Sequence, residues 1–242
     1  LNPLKCENGV YQMDMEAFRE QVKGCKLFIL CNPHNPGGIV WKEEELREIA
    51  EICYDEGVLV FSDEIHADLT LPPHKHRPFA TISEKAKMNS VTFMSPSKAF
   101  NMPGMTASHA IIYNPELRHQ LREFIEACEL DLGHAFAFLS VEAAYSHGTE
   151  WLDQCLTYIQ GNIDYVDAFL KEHAPKIKAI RPQASYLIWL DCREMNLSQK
   201  ALNDFFVDKA YLALNDGAIF GKGQGDGFMR LNVASPRSVI EK

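Results

Sequence analysis

Three stretches of the sequence share one pattern, an apolar run that ends in a short polar cluster. The runs cover residues 27–31, 58–61 and 91–94, and the clusters after them are rich in Asn, Asp, Ser and His. Unbroken apolar runs of this length are typical of parallel strands that helices cover on both faces. The pattern therefore predicts three neighbouring parallel strands whose polar clusters meet at one edge of a sheet.

Helical patterns alternate with these strands, as they do in α/β folds. The segment 42–54 begins with acidic residues, ends before Gly57 and carries Leu46, Ile49 and Cys53 at helical spacing. This spacing predicts a helix with one face against the sheet. Further helices are predicted at 14–22, 151–172 and 198–209, and a long helical region at 115–145. Further strands are predicted at 108–113, 185–190 and 228–233.

The pattern changes after Pro175, where shorter elements surround a glycine-rich loop. We therefore predict an α/β large domain with a mostly parallel sheet at 1–162 and a smaller α+β domain at 163–242. The chain begins one short element before a central strand and stops within a predicted helix at 240–242. Both domains are expected to be incomplete, the first at its N-terminus and the second at its C-terminus.

The composition is that of a globular chain, with 46% hydrophobic and 24% charged residues among 242. A formal net charge of −9 argues against nucleic acid or an anionic membrane as the main partner. The seven cysteines show neither paired nor metal-ligand spacing. No apolar run approaches the ~20 residues that cross a bilayer. These features predict a cytoplasmic protein without a metal site that acts on a small molecule.

Polar residues with chemical potential follow each of the three predicted strands. They are Asn35, Asp63, His66, Ser95, Ser97 and Lys98. Taken singly, each is equally consistent with a turn or a solvated strand end. An amine, a carboxylate, an amide and hydroxyls at one sheet edge together indicate a site for chemistry.

A lysine at the end of a strand is charged and unreactive at neutral pH, because its ordinary pKa is about 10.4. Formation of a Schiff base removes that difficulty, and pyridoxal phosphate is a cofactor held in this way. Its ring nitrogen needs a carboxylate partner, and its phosphate and ring oxygen need hydrogen-bond donors. The expected roles are Schiff-base formation for Lys98, the ring nitrogen for Asp63, the ring oxygen for Asn35 and His66, and the phosphate for Ser95 and Ser97.

Four motifs carry a resemblance to a known family. They are Asn-Pro-His-Asn-Pro-Gly-Gly at 32–38, Ser-Asp-Glu-Ile-His-Ala-Asp at 62–68, Ser-Pro-Ser-Lys-Ala-Phe-Asn at 95–101 and Arg-Leu-Asn-Val-Ala-Ser-Pro-Arg at 230–237. In order and spacing they resemble fold-type I pyridoxal phosphate enzymes of the class I/II aminotransferase superfamily, and within it the MalY/PatB-type cystathionine β-lyases. The resemblance implies the fold of the pyridoxal phosphate-dependent transferases and a homodimer. It also implies that Arg230 binds the α-carboxylate of an amino-acid substrate.

Two departures from the aminotransferase pattern favour the lyase branch of this superfamily. The run 102–108 lacks the arginine that many aminotransferases place on the phosphate, and His66 stands where they usually have tyrosine. The expected activity is C–S β-lysis of cystathionine or cysteine-type amino acids to a thiol, pyruvate and ammonia. Two alternatives stay open, an aminotransferase and a truncated domain that binds ligand without turnover.

The resemblance further implies that three parts of the site precede Leu1. These are a glycine-rich phosphate loop, an aromatic residue that stacks on the ring, and a tyrosine from the second subunit. The chain alone is therefore expected to carry an incomplete site.

Two other motifs suggest different chemistry. His74 and His76 could suggest a metal, but they lie in a proline-bracketed segment without nearby ligands, which we interpret as a loop at the site entrance. The glycine-rich run 221–225 superficially suggests a nucleotide loop. It leads into a strand and not into a helix, so we interpret it as a turn.

Overall fold

A computed structural model describes residues 4–7, 10–131, 133, 135–221 and 223–242, and Lys222 of the predicted turn lies outside these residues. The chain divides into two units. The parallel-sheet unit consists of Met15–Pro33 and Val40–Gln154, and the antiparallel-sheet unit of Leu1–Asp14, His34–Ile39 and Cys155–Lys242. The predicted domain boundary after residue 162 stays a prediction.

Within the described residues, the elements are numbered here in chain order. The strands are Lys5–Glu7 (β1), Val10–Gln12 (β2), Leu27–Cys31 (β3), Leu59–Asp63 (β4), Ser90–Met94 (β5), His109–Ile111 (β6), Lys178–Ile180 (β7), Leu187–Asp191 (β8), Asn215–Asp216 (β9) and Phe228–Asn232 (β10). The α-helices are Met15–Gln21 (α1), Glu43–Asp55 (α2), Glu84–Met88 (α3), Pro96–Ala99 (α4), Pro115–Ala127 (α5), Ala135–His147 (α6), Thr149–His173 (α7), Gln199–Asp208 (α8) and Arg237–Ile240 (α9).

The parallel-sheet unit contains the three strands that the apolar runs predicted. Its sheet has the order β3-β4-β5-β6, in which β3, β4 and β5 are parallel and β6 is antiparallel. The neighbouring parallel arrangement of the three runs is thus confirmed. Helix α2 buries Leu46, Ile49 and Cys53, the residues that the helical spacing placed on its inner face.

Burial of this sheet differs between its two faces. In β3, Leu30 is 2% exposed, whereas Ile29 is 67% exposed. The expectation that both faces are covered therefore holds on only one side of β3 among the described residues. The two sides differ because successive side chains of a strand point to opposite faces.

The predicted helical region at 115–145 consists of two helices among the described residues. Helix α5 ends at Ala127, and Glu129 follows with φ +53°, in the left-handed region that a continuous helix cannot include.

Helix α7 begins in the parallel-sheet unit and continues into the antiparallel-sheet unit. No helix among the described residues is long and apolar enough to cross a membrane.

The antiparallel-sheet unit is built on the strand order β7-β8-β10-β9. Strand β8 begins at Leu187, later than predicted, since Ser185 has φ +80° and cannot continue an extended strand. Ser198 caps α8 as its sequence position predicted, with Oγ accepting from the Ala201 N–H at 3.3 Å. Strand β10 lies between β8 and β9, and it carries Arg230 opposite Trp189 and Asn215.

Candidate active site

Asp63 is the last residue of β4 and lies at the carboxyl edge of the parallel sheet. Its register partners are Cys31 of β3 and Phe93 of β5. The side chain is half-buried, and Oδ1 accepts a hydrogen bond from the Ile65 N–H at 3.2 Å. The carboxylate therefore lies where ligands bind in parallel α/β sheets.

Ser95, Ser97 and Lys98 follow β5 in the short helix α4. The Ser95 Oγ accepts from the Ser97 N–H at 3.1 Å, and it lies 2.8 Å from the Ser97 Oγ and 2.6 Å from the Ala107 carbonyl oxygen. Lys98 is half-buried, and among the described residues its ammonium has no hydrogen-bond or ion-pair partner. Two hydroxyls and a free cation thus share one turn of helix at the end of β5.

His66 follows β4 at the start of a 3-10 turn formed by Ala67–Leu69. Its side chain is buried, with 4% exposed, and its carbonyl oxygen accepts from the Leu69 N–H at 3.0 Å. The 3-10 turn contacts α4, the helix that carries Lys98. The fold therefore brings together the segments after β4 and β5, as the sequence predicted.

Arg230 and Asn35 form a second group, in the antiparallel-sheet unit. The Arg230 Nη1 donates to the Asn35 Oδ1 at 2.9 Å, and Nη2 donates to the Asn215 Oδ1 at 2.9 Å. Burial lowers the pKa of Arg230 from its ordinary value. The expected convergence of Asn35 with the polar residues of the parallel sheet stays a prediction.

Glu64 is a buried polar residue whose surroundings the sequence did not reveal. It is 1% exposed, and its carboxylate accepts from the Ser62 Oγ at 2.8 Å and the Phe79 N–H at 2.9 Å. The other oxygen lies 2.7 Å from the His76 Nε2. Side chains two positions apart along a strand point to the same face, so Glu64 lies on the buried face with Ser62, and Asp63 points to the other face. This two-residue spacing was the signal in the sequence. His76 thus anchors its loop to the sheet edge.

We expect Glu64→Ala to destabilise the protein by about 3 kcal/mol, because it leaves buried hydrogen-bond donors without an acceptor. The midpoint and slope of urea unfolding measure the change. Glu84→Ala is the matched control, since Glu84 is solvent-exposed and such substitutions change stability by less than ~0.5 kcal/mol. An equally small effect of Glu64→Ala would contradict the expectation.

The sequence matches a known protein family over nearly its whole length. The model for "Aminotransferase class I and II" matches residues 3–242. The chain belongs to this family. The membership confirms the superfamily to which the four motifs pointed.

Two curated members of the family are similar over most of the chain. Cystathionine β-lyase PatB of Bacillus subtilis is 42% identical over 242 residues, which cover 99% of this chain and 62% of PatB. Protein MalY of Escherichia coli is 34% identical over 219 residues, which cover 90% of this chain and 55% of MalY. The chain thus spans about three fifths of the length of these relatives.

A solved structure of the family has the same fold. The crystal structure of cystalysin from Treponema denticola, which contains a pyridoxal 5′-phosphate cofactor, matches with a TM-score of 0.93 and 36% identity. The match covers 98% of this chain and 61% of cystalysin. The fold class predicted from the motifs, the pyridoxal phosphate-dependent transferase fold of type I, is confirmed.

Proposed function

We propose that the protein is a pyridoxal phosphate-dependent C–S β-lyase that cleaves cystathionine or a cysteine-type amino acid to a thiol, pyruvate and ammonia. The observation that carries the proposal is the 42% identity to a cystathionine β-lyase over 99% of the chain. His66 and the arginine-free run 102–108 support the lyase over an aminotransferase.

Lys98 and Asp63 fit two groups of pyridoxal phosphate, the aldehyde that bonds an amine and the ring nitrogen that needs a carboxylate. The Lys98 amine has no competing partner among the described residues, so it is available for a covalent bond to the cofactor. Asp63 uses Oδ1 for the Ile65 N–H, which leaves Oδ2 for a protonated ring nitrogen.

The neutral donors suit the remaining groups of the cofactor. The adjacent hydroxyls of Ser95 and Ser97 match a phosphate that accepts several hydrogen bonds. His66 and Asn35 supply donors for the ring oxygen. The donor set therefore fits pyridoxal phosphate.

Pyridoxal phosphate, when bound, supplies a ring that withdraws electrons from the substrate Cα. Once the substrate amino group has displaced it from the cofactor, the Lys98 amine would be free to act as the general base that takes the proton from Cα. Asp63 keeps the ring nitrogen protonated, because its carboxylate stabilises the positive charge there. Arg230 would bind the α-carboxylate of the substrate. A sulfur on Cβ leaves with its electron pair as a thiolate, and water converts the remainder to pyruvate and ammonia.

Product analysis tests the proposal on the purified protein with pyridoxal phosphate. We expect L-cystathionine to give pyruvate and a thiol in equal amounts, and an amino donor with 2-oxoglutarate to give little glutamate. Glutamate as the dominant product would establish an aminotransferase instead. Binding of pyridoxal phosphate without either product would favour the ligand-binding alternative.

We also propose that the protein is a cytoplasmic homodimer. Helix α6 supports the dimer because it exposes three large apolar side chains: Phe136, Phe138 and Leu139 are 72%, 63% and 59% exposed. Burial raises the pKa of the Cys53 and Cys192 thiols to about 12, so both stay protonated and unreactive. Light scattering on the same preparation measures the oligomeric state, and a monomer mass would exclude the dimer.

A further inference from the structure

The guanidinium of Arg230 is held on three sides by residues of its own unit. Asn35 and Asn215 accept its Nη1 and Nη2 hydrogens, each at 2.9 Å. The ring of Phe220 lies against the flat face of the guanidinium, with its centroid 4.5 Å from the central carbon. Among the described residues, the buried Nε has no hydrogen-bond partner. Each terminal nitrogen carries a second hydrogen, so Nη1 and Nη2 keep donors for an anionic ligand beside the two asparagines.

Phe220 is itself held by a column of buried aromatic rings. Its ring meets Trp189 edge to face, with centroids 5.6 Å apart. Trp189 stacks on Phe228 at 5.3 Å and 6° between planes, and its Nε1 donates to the Tyr11 hydroxyl at 2.8 Å. Trp189 and Phe228 are 2% and 3% exposed. The column limits the movement of Phe220 and supplies a fixed surface for Arg230.

A fixed surface matters because an arginine side chain loses rotamer entropy when it binds a ligand. An aromatic face also stabilises a cation that has lost part of its water. Asn215 limits rotation of the guanidinium about its own axis through the Nη2 hydrogen bond. Together the two contacts prepare the orientation of Arg230 before any ligand arrives.

We propose that Phe220, with Asn215, is a positioning residue that holds Arg230 in the orientation that receives the α-carboxylate of the amino-acid substrate. The inference rests on the proposed function, since that function supplies the carboxylate. Phe220 and Asn215 each contact the guanidinium of Arg230. Both act through Arg230, so their loss weakens recognition of the carboxylate more than it slows the chemistry.

The test compares two reagents that attack the cofactor-bound protein and differ in a carboxylate, aminooxyacetate and O-methylhydroxylamine. Loss of the visible absorbance band gives the rate constant of each reaction without any turnover. Wild type is expected to react faster with aminooxyacetate. Phe220→Leu should lower the ratio of the two rate constants about fivefold, the size of a partly buried cation–π contact. Asn215→Ala should lower the same ratio.

Conservative and control variants separate positioning from a structural role. Phe220→Tyr keeps the aromatic face and should keep the wild-type ratio. Ile219→Ala should also keep it, because Ile219 is 69% exposed in the same turn. With L-cystathionine, Phe220→Leu should raise KM about fivefold and leave kcat nearly unchanged. If Phe220→Leu does not fold, Phe220→Met retains apolar bulk without a π face and replaces it.

The proposal would be overturned if the folded Phe220→Leu or Phe220→Met protein had the wild-type ratio of the rate constants for aminooxyacetate and O-methylhydroxylamine. An equal loss of reactivity toward both reagents would also overturn it, because that result indicates a general structural effect. The experiment also distinguishes a failure of the proposed lyase function from a failure of the proposal on Phe220. A wild-type protein that discriminates between the two reagents but releases no pyruvate would retain this assignment and exclude the lyase.

Discussion

Replacement of Lys98 by alanine is expected to abolish covalent attachment of pyridoxal phosphate while the protein still folds. Lys98 is half-buried in α4, and no described residue competes for its amine. The variant should lack the visible band of the attached cofactor, and borohydride should leave no label on the peptide that contains residue 98. Lyase activity should fall by at least ~10⁴-fold, because the general base is lost together with the covalent anchor.

The matched control for this variant is Lys87→Ala. Lys87 lies in the same unit, in α3, and its ammonium contacts Glu84 at 3.4 Å on the surface. Loss of an exposed ion pair of this kind changes stability by less than ~1 kcal/mol, so the control should keep both the band and the activity. Retention of the borohydride-sensitive band in Lys98→Ala would show that another lysine carries the cofactor.

Replacement of Asp63 by asparagine is expected to lower lyase activity on the order of 10³-fold, the cost of removing one preorganised charge from a reacting centre. The amide can no longer stabilise a proton on the ring nitrogen, although its size is nearly the same. The Ile65 N–H retains an acceptor in the asparagine Oδ1, so the local turn should persist. Measurement of kcat with L-cystathionine gives the change.

Two observations separate this effect from a folding defect. Asp63→Asn should still bind pyridoxal phosphate covalently, because Lys98 is unchanged. Asp55→Asn is the control, since Asp55 lies exposed at the end of α2 and pairs with Lys85 at 2.8 Å. A loss of activity below about tenfold in Asp63→Asn would mean that another residue is the partner of the ring nitrogen.

The two variants also bear on the alternatives that the sequence left open. A lyase and an aminotransferase share the base and the ring-nitrogen partner, so both variants should inactivate either enzyme. A domain that binds ligand without turnover would lose the cofactor band in Lys98→Ala and have no activity to lose in Asp63→Asn. Activity of the wild-type protein therefore has to be established first.

The local pattern of the sequence was sufficient to predict the strands that carry the candidate site. Apolar runs predicted β3, β4 and β5, and the helix between the first two runs implied their parallel order. Asp63 and Lys98 could be placed at strand ends because the apolar runs stop there. These predictions succeeded because strand formation and helix amphipathicity depend on residues that are close in the chain.

Contacts between distant residues were decided only by the tertiary structure. Arg230 donates a hydrogen bond to Asn35, 195 positions away in the chain. The Glu64 carboxylate contacts His76, which lies in a loop whose attachment to the sheet the sequence did not predict. The ring of Phe220 lies under Arg230 because β8, β9 and β10 pair in one register. The spacing of apolar residues along the sequence does not predict such side-chain contacts, since they depend on the path of the chain between helices and strands. The sequence by itself thus determined the three parallel strands and the polar residues at their carboxyl ends, while the tertiary structure decided which side chains contact and support one another.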